Sequence, residues 1–164
     1  NNRVLSVIRD NILSGLNLSK EEHQEIKTQI NHLAPNCKSF QKIKNVLDSD
    51  SIGVYQGKIF VKDIAQKTDA YQLSKALILS DKAEFNAKPE LEIYADDVKC
   101  SHGSTSGSID AEAIHYLMTR GIELREAKKL LIKGFLNEIF DNIPEDKIRT
   151  FLEKSIAAQI DEIR

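Results

Sequence analysis

The stretch Lys88-Pro-Glu-Leu-Glu-Ile-Tyr-Ala-Asp-Asp-Val-Lys-Cys100-Ser-His102-Gly-Ser-Thr-Ser-Gly107 decides the fold. A strand pattern leads to a cysteine and a histidine two residues apart and then to a polar, glycine-bracketed segment that reads as a turn. Successive side chains on a strand point to opposite faces, so Val98, Cys100 and His102 share one face and Lys99 and Ser101 the other. Residues i and i+2 lie roughly 6.5–7 Å apart along a strand, within reach of one soft or borderline metal ion. Two donors do not close a site. The remaining thiol and imidazoles are Cys37, His23, His32 and His115, none at a local ligand spacing. A metal held by Cys100 and His102 therefore needs part of its shell from another chain.

Outward from this stretch, residues 25–33 alternate, and further short apolar runs lie at 52–55, 58–62, 77–79 and 91–95. Polar turns at 48–51, 63–69 and 80–82 separate them, with no 3.6-residue period between. The pattern is that of an all-β unit of short strands. A sandwich, a barrel and a stack of β-helix coils all satisfy it, and no strict hexapeptide repeat selects among them.

From Ser108 the pattern becomes helical. Ser108 or Asp110 caps a first helix with Ile114, Leu117 and Met118 on its stripe, and Gly121 suits the left-handed position past its end. A second spans 123–140, with Leu124, Ala127, Leu131 and Phe135 on one face and Leu130 broadening it. Leu136, Ile139 and Phe140 fall outside that stripe and offer apolar surface to a partner. A third opens at Pro144 and runs to the C-terminus. The division is a β portion over 1–107 and a helical subdomain over 108–164, the latter capping the open end of the β stack or packing on itself.

Composition excludes several classes. The chain has 164 residues, 23 basic and 25 acidic, and a formal charge of −2, with no basic block interleaved with aromatics of the kind nucleic acid demands. The apolar runs 76–79 and 130–132 are too short to span a bilayer and the polar N-terminus has no signal-peptide core, so a soluble cytoplasmic protein is expected. Two cysteines in a chain this long make no disulfide framework. Asp96, Asp97 and Asp110 read as turn residues rather than a catalytic pair. Gly103 and Gly107 lack the lysine and spacing of a phosphate-binding loop. Cys37 reads as structural, His23 as solvated, and His115 as a surface residue without a role. Taken alone, a Cys-x-His pair on a strand is most often a packed thiol beside a hydrogen-bonded imidazole.

The segments KPELEIYADDVKCSHGSTSG and IDAEAIHYLMTRGI, with NHLAPNC, GVYQGKI and QKTDAYQLSKALILSDKAEF upstream, resemble the C-terminal part of the SufD branch of the SufB/SufD family of iron-sulfur cluster assembly proteins. The resemblance runs from about Gln24 onward, and KCSHG carries its SufD-like character. A start at Asn1 without methionine reads as a piece of a longer chain. The resemblance implies the last coils of a right-handed parallel β-helix followed by a small helical subdomain. It also implies a non-catalytic scaffold that meets a SufB-like subunit, with a SufC-like ATPase docking on the helices over 123–164 and sulfur arriving from a cysteine desulfurase. His102 would then stand at a transient iron-sulfur cluster shared with the partner, with Cys100 in support. No cofactor is expected in the isolated chain, where a homodimer through 91–102 replaces the heterodimer. The competing readings are a β-helix carbohydrate-active enzyme, disfavoured because the arginines avoid the β-rich middle, and a purely architectural oligomerisation module.

Overall fold

A computed structural model describes residues 10–20, 23–140, 143 and 145–161. Among these described residues seven strands come first: β1 (Asp10–Lys20), β2 (His23–His32), β3 (Lys38–Asp48), β4 (Ile52–Val61), β5 (Asp69–Ile78), β6 (Glu84–Ile93) and β7 (Lys99–Ser108). They alternate between two sheets, ordered β1-β3-β5-β7 and β2-β4-β6. Every pairing is parallel. Asp10, Lys38, Asp69 and Lys99 stack in register on one wall and His23, Ile52 and Glu84 on the other. Each pair of strands is thus one coil of a parallel β-helix, which resolves the three architectures open to the sequence. A right-handed sense is the one that strand twist favours for parallel crossovers.

The corners continue the ladder. Lys62 N donates to His32 O at 3.0 Å, Tyr94 N to Val61 O at 2.9 Å and Lys99 N to Thr68 O at 2.8 Å, so backbone pairing runs on past the strand ends at these corners. Tight corners are reached through left-handed residues, Asn36, Ser49 and Lys67, at φ 59°, 54° and 59°. Asp96 and Asp97 lie in the bend between β6 and β7, the turn role expected of them.

Inside the coils, Ile43, Leu47, Tyr55, Ile59, Val61 and Ala70 are buried. Several strands are longer than their apolar runs suggest. The segments at 52–55 and 58–62 are one strand, β4, because Gln56 and Gly57 stay in the ladder between Lys27–Lys88 and Thr28–Pro89. β3 shows no alternation over 43–47 because both its faces are covered, the inner by the lumen and the outer by helices. The polar segment 103–107 is not a turn. It is the second half of β7, held in register on Leu73–Leu77 of β5, and that ladder overrides the poor strand propensity of Gly and Ser.

Three helices follow among the described residues: α1 (Ala111–Thr119), α2 (Leu124–Asn137) and α3 (Asp146–Asp161). Asp110 caps α1, its carboxylate accepting from Glu112 N at 2.8 Å and Ala113 N at 3.3 Å. Gly121, at φ 87°, ends it, with Gly121 N on Met118 O and Ile122 N on Leu117 O. The expected start of the third helix at Pro144 lies outside the described residues.

The helices neither cap the open end nor pack only on themselves. Ile132 and Leu136 of α2 and Ile160 of α3 pack on Val46, with Leu18 and Leu77 beside it, on the outer flank of the four-stranded sheet. Leu136, Ile139 and Phe140 are buried within this chain and offer nothing to a partner, because the stripe on the sheet is rotated toward Ile132 and Leu136 from the one expected. On α2 and α3 the large apolar residues left exposed among the described residues are Leu124, Leu130, Ile148 and Phe151, the last at 69 %. A buried cation fixes the C-terminus of α2. Lys44, fully buried, donates to the Phe135 carbonyl and to Glu138 Oε2, the latter at 2.7 Å, and sits 4.3 Å from the centre of the Phe135 ring. Lys42 donates to Glu138 O at 3.1 Å and Lys75 approaches Glu138 at 3.7 Å, so basic side chains meet the negative end of the helix.

Candidate functional site at the terminal coil

β6 and β7 end the two sheets, and among the described residues no strand covers them. The inward face of this last coil is therefore a lumen wall without a lid. Its apolar members stay half-buried or become exposed where their counterparts one coil earlier are buried: Ile93 is 37 % exposed whereas Val61, its register partner, is 0 % exposed.

Cys100 and His102 lie on this wall. Cys100 pairs in register with buried Ala70 and packs with Leu91 and Val98 against a cluster of Ile59, Val61, Ala65, Ala70 and Ala95. Its direction is thus inward, and the strand period gives His102 the same face. Ser104 continues the row, accepting a hydrogen bond from Ser74 Oγ at 3.0 Å. The two donors differ in setting. Cys100 is half-buried and His102 exposed. Burial pushes the Cys100 thiol up, the backbone hydrogen bond at Ala70 opposes this, and the nearby Asp69 carboxylate adds to it. At neutral pH the thiol keeps its proton, and a bound metal would have to displace it. The imidazole is the readier donor.

The other candidates are elsewhere. His32 is buried in the first described coil, its Nε2 2.8 Å from Ser39 Oγ, and desolvation lowers its pKa. Cys37 is buried with its Sγ 3.9 Å from Pro35 O, the structural place expected for it. His23 and His115 are exposed. Among the described residues no three His, Cys, Asp or Glu side chains converge as a metal site, so the donors at the terminal coil remain a pair.

The sequence reading missed a polar column in the lumen directly beneath His102. Gln41, Gln72 and His102 occupy one register position on β3, β5 and β7. Thr28 Oγ1 donates to Gln41 Oε1 at 2.7 Å and Tyr55 Oη to the same oxygen at 3.4 Å. Gln72 Nε2 donates to Gly57 O at 3.3 Å. Desolvation pushes the Tyr55 phenol up to about 12, with the hydrogen bond it shares with Thr28 opposing. The signal was present as a repeat, Phe40-Gln41, Tyr71-Gln72 and Ser101-His102, spaced by a coil rather than by six residues.

A family model described as SUF system FeS cluster assembly, SufBD core domain, matches residues 10–135. The chain belongs to the SufB/SufD family. Its match spans all seven strands and most of α2. Among curated relatives, an iron-sulfur cluster assembly SufBD family protein of Synechocystis is 39% identical over 148 residues, 90% of this chain and 32% of the relative. The iron-sulfur cluster assembly protein SufD of Escherichia coli is 38% identical over 130 residues, 79% of this chain and 31% of its own length. SufD of Bacillus subtilis is 31% identical over 140 residues, 85% and 32% respectively. The chain thus spans about a third of the length of these relatives. Likeness to SufD from two organisms agrees with the SufD-like character of the KCSHG segment. No helix among the described residues is long and apolar enough to cross a membrane.

Proposed function

We propose that this chain is the partner-facing end of a non-catalytic, cytoplasmic SufD-like scaffold, and that its terminal coil meets a SufB-like subunit around a nascent iron-sulfur cluster. One observation carries the reading: Cys100 and His102 share the inward face of β7, which no further strand covers among the described residues. An edge strand with unpaired backbone groups and a half-exposed apolar lumen favours strand addition by a second chain. That addition would enclose the donors and supply the missing ligands. The chemistry suits a cargo that must leave. His102 offers an imidazole nitrogen, Cys100 a thiol that ionises only on binding, and a two-donor half-site holds iron weakly enough to let it leave. In the absence of the SufB-like subunit, a homodimer through the same edge buries the same surface.

The helices belong to a different contact. Leu130 of α2 and Ile148 and Phe151 of α3 are exposed apolar residues among charged neighbours, and a SufC-like ATPase docking over 123–164 would cover them. The chain itself catalyses nothing in this scheme. His102→Ala in the complex with the SufB-like and SufC-like subunits, reconstituted anaerobically with iron and sulfide, is expected to lower cluster formation while changing stability by no more than a surface substitution, about 0.5 kcal/mol. Cys100→Ala is expected to have the smaller effect. Wild-type cluster formation by His102→Ala in a complex of normal composition would remove the histidine from the site.

A further inference from the structure

We infer that the junction with the SufB-like subunit joins one wall of the β-helix only: the partner strand adds to β7, while Pro89 bars strand addition to β6 and leaves the lumen open past Leu91 and Ile93. The inference rests on the reading of the terminal coil given above and goes beyond it in assigning the two free edges different roles. On a strand the N–H and C=O of one residue point to the same side, and successive residues alternate between sides. A single bond to the inner neighbour therefore fixes which residues face the free edge, provided the register is unbroken.

For β6 two bonds fix it. Glu84 N donates to Ser51 O and Tyr94 N to Val61 O, both at 2.9 Å, and the ladder between them runs without a bulge from Glu84 on Ile52 to Ile93 on Val61. Even-numbered residues of β6 thus turn their backbone to β4, and Phe85, Ala87, Pro89, Leu91 and Ile93 turn theirs to the free edge. Pro89 has no N–H to give, and it sits mid-strand opposite Gly57 without breaking the ladder because none is needed on that side. Toward the open side its ring methylene stands where an added strand, about 4.8 Å away, would need a donor. The even neighbours Lys88, Glu90 and Glu92 place charges along the outer face of the same edge, the two glutamates beside Lys58 of β4. Leu91 packs with Cys100 on the lumen side, and Ile93 shares its face. β7 is the opposite case. Lys99 N donates to Thr68 O at 2.8 Å and the register continues unbroken to Ser108, so Cys100, His102, Ser104 and Ser106 turn their N–H and C=O to the free edge. Those residues also point their side chains into the lumen, so an added strand is held at Cys100 and His102 themselves. On the outer face Ser101, Gly103 and Thr105 are small and uncharged, which leaves room beside them for a second chain.

Amide hydrogen exchange at single-residue resolution, on the full-length protein alone and in its complex with the SufB-like subunit, tests this. Complex formation is expected to slow the amides of Cys100, His102, Ser104 and Ser106 by about tenfold or more and to leave those of Phe85, Ala87, Leu91 and Ile93 within about threefold of their free rates. Slowing of both sets, or of the β6 set alone, would overturn the inference and keep the terminal coil as the interface. Slowing of neither would overturn that reading and the inference with it. Proline substitution is the independent arm, since pairing with the inner neighbour does not use these N–H groups. Ser104→Pro, on the free edge of β7, is expected to weaken the complex by about tenfold or more, and Ala87→Pro, on the free edge of β6, to leave its affinity unchanged. A folded Ser104→Pro protein with wild-type affinity, or an Ala87→Pro protein weakened as much, would overturn the inference, and the exchange pattern of the wild type decides it if either variant fails to fold.

Discussion

Gly57→Ala tests whether the lumen is packed as described. An added Cβ would stand 2.2 Å from Gln72 Nε2 and 2.3 Å from Tyr55 Oη, more than an ångström inside ordinary van der Waals contact. Gln72 has a flexible side chain but is 1 % exposed, and Tyr55 is rigid and fully buried, so neither has space to withdraw into. Relief requires giving up the hydrogen bonds from Gln72 to Gly57 O and from Tyr55 to Gln41, and disturbing the Thr28–Tyr55 contact. At about 1 kcal/mol net for each bond lost, with about 1 kcal/mol or more of overpacking strain, the expected destabilisation is about 2–4 kcal/mol. Guanidinium unfolding reads it as a lower midpoint at unchanged slope. Gly134→Ala is the control: nothing lies within 4 Å of a Cβ on that exposed α2 residue, and alanine there should stabilise by about 0.5–1 kcal/mol. A Gly57→Ala protein within about 0.5 kcal/mol of wild type would refute the packing.

Glu138→Gln should destabilise by about 1–2 kcal/mol, because it withdraws the carboxylate from fully buried Lys44 while leaving the cation in place. Lys44→Met combined with Glu138→Gln should cost less than Glu138→Gln alone, a difference measured by denaturant midpoints. The hydrogen bond from Lys44 holds the Glu138 pKa below its ordinary 4.5, so its contribution is present above pH 4.5 and lost as pH falls through the depressed folded-state value. An acid titration of stability should flatten in Glu138→Gln. Deleting 144–164 should weaken binding of the SufC-like ATPase in calorimetry, and unchanged affinity would remove α3 from that contact.

The sequence reading reached the β-to-helical transition and the Asp110 and Gly121 caps because those depend on local chemistry, a side-chain oxygen before a helix and a left-handed glycine after it. It left the β architecture open, and only the family resemblance pointed to a β-helix. The reason is physical: the coil recurs over Asp10, Lys38, Asp69 and Lys99, while the corners between them differ in length, so the repeat is a register and not a motif. Residues 103–107 looked like a turn because glycine and serine dominate there, yet pairing with β5 is a tertiary fact that no local propensity carries. The rotation of α2 toward Ile132 and Leu136 was hidden for the same reason, since the face that is buried is chosen by Val46 and Leu77 on the sheet. Cys100 and His102 were placed on one face by the strand period alone. That this face ends the lumen, and that Gln72 lies beneath it, followed only from the register.

The central claim is that the terminal coil is an interface and His102 is part of it. A crystal structure of the complex with a SufB-like subunit tests this most directly. The account predicts β7 paired along its free edge with a strand of the partner and the His102 ring enclosed between the two chains, with partner donors within a few ångströms of it. A complex in which His102 stays exposed to solvent, remote from every residue of the SufB-like chain, would contradict it.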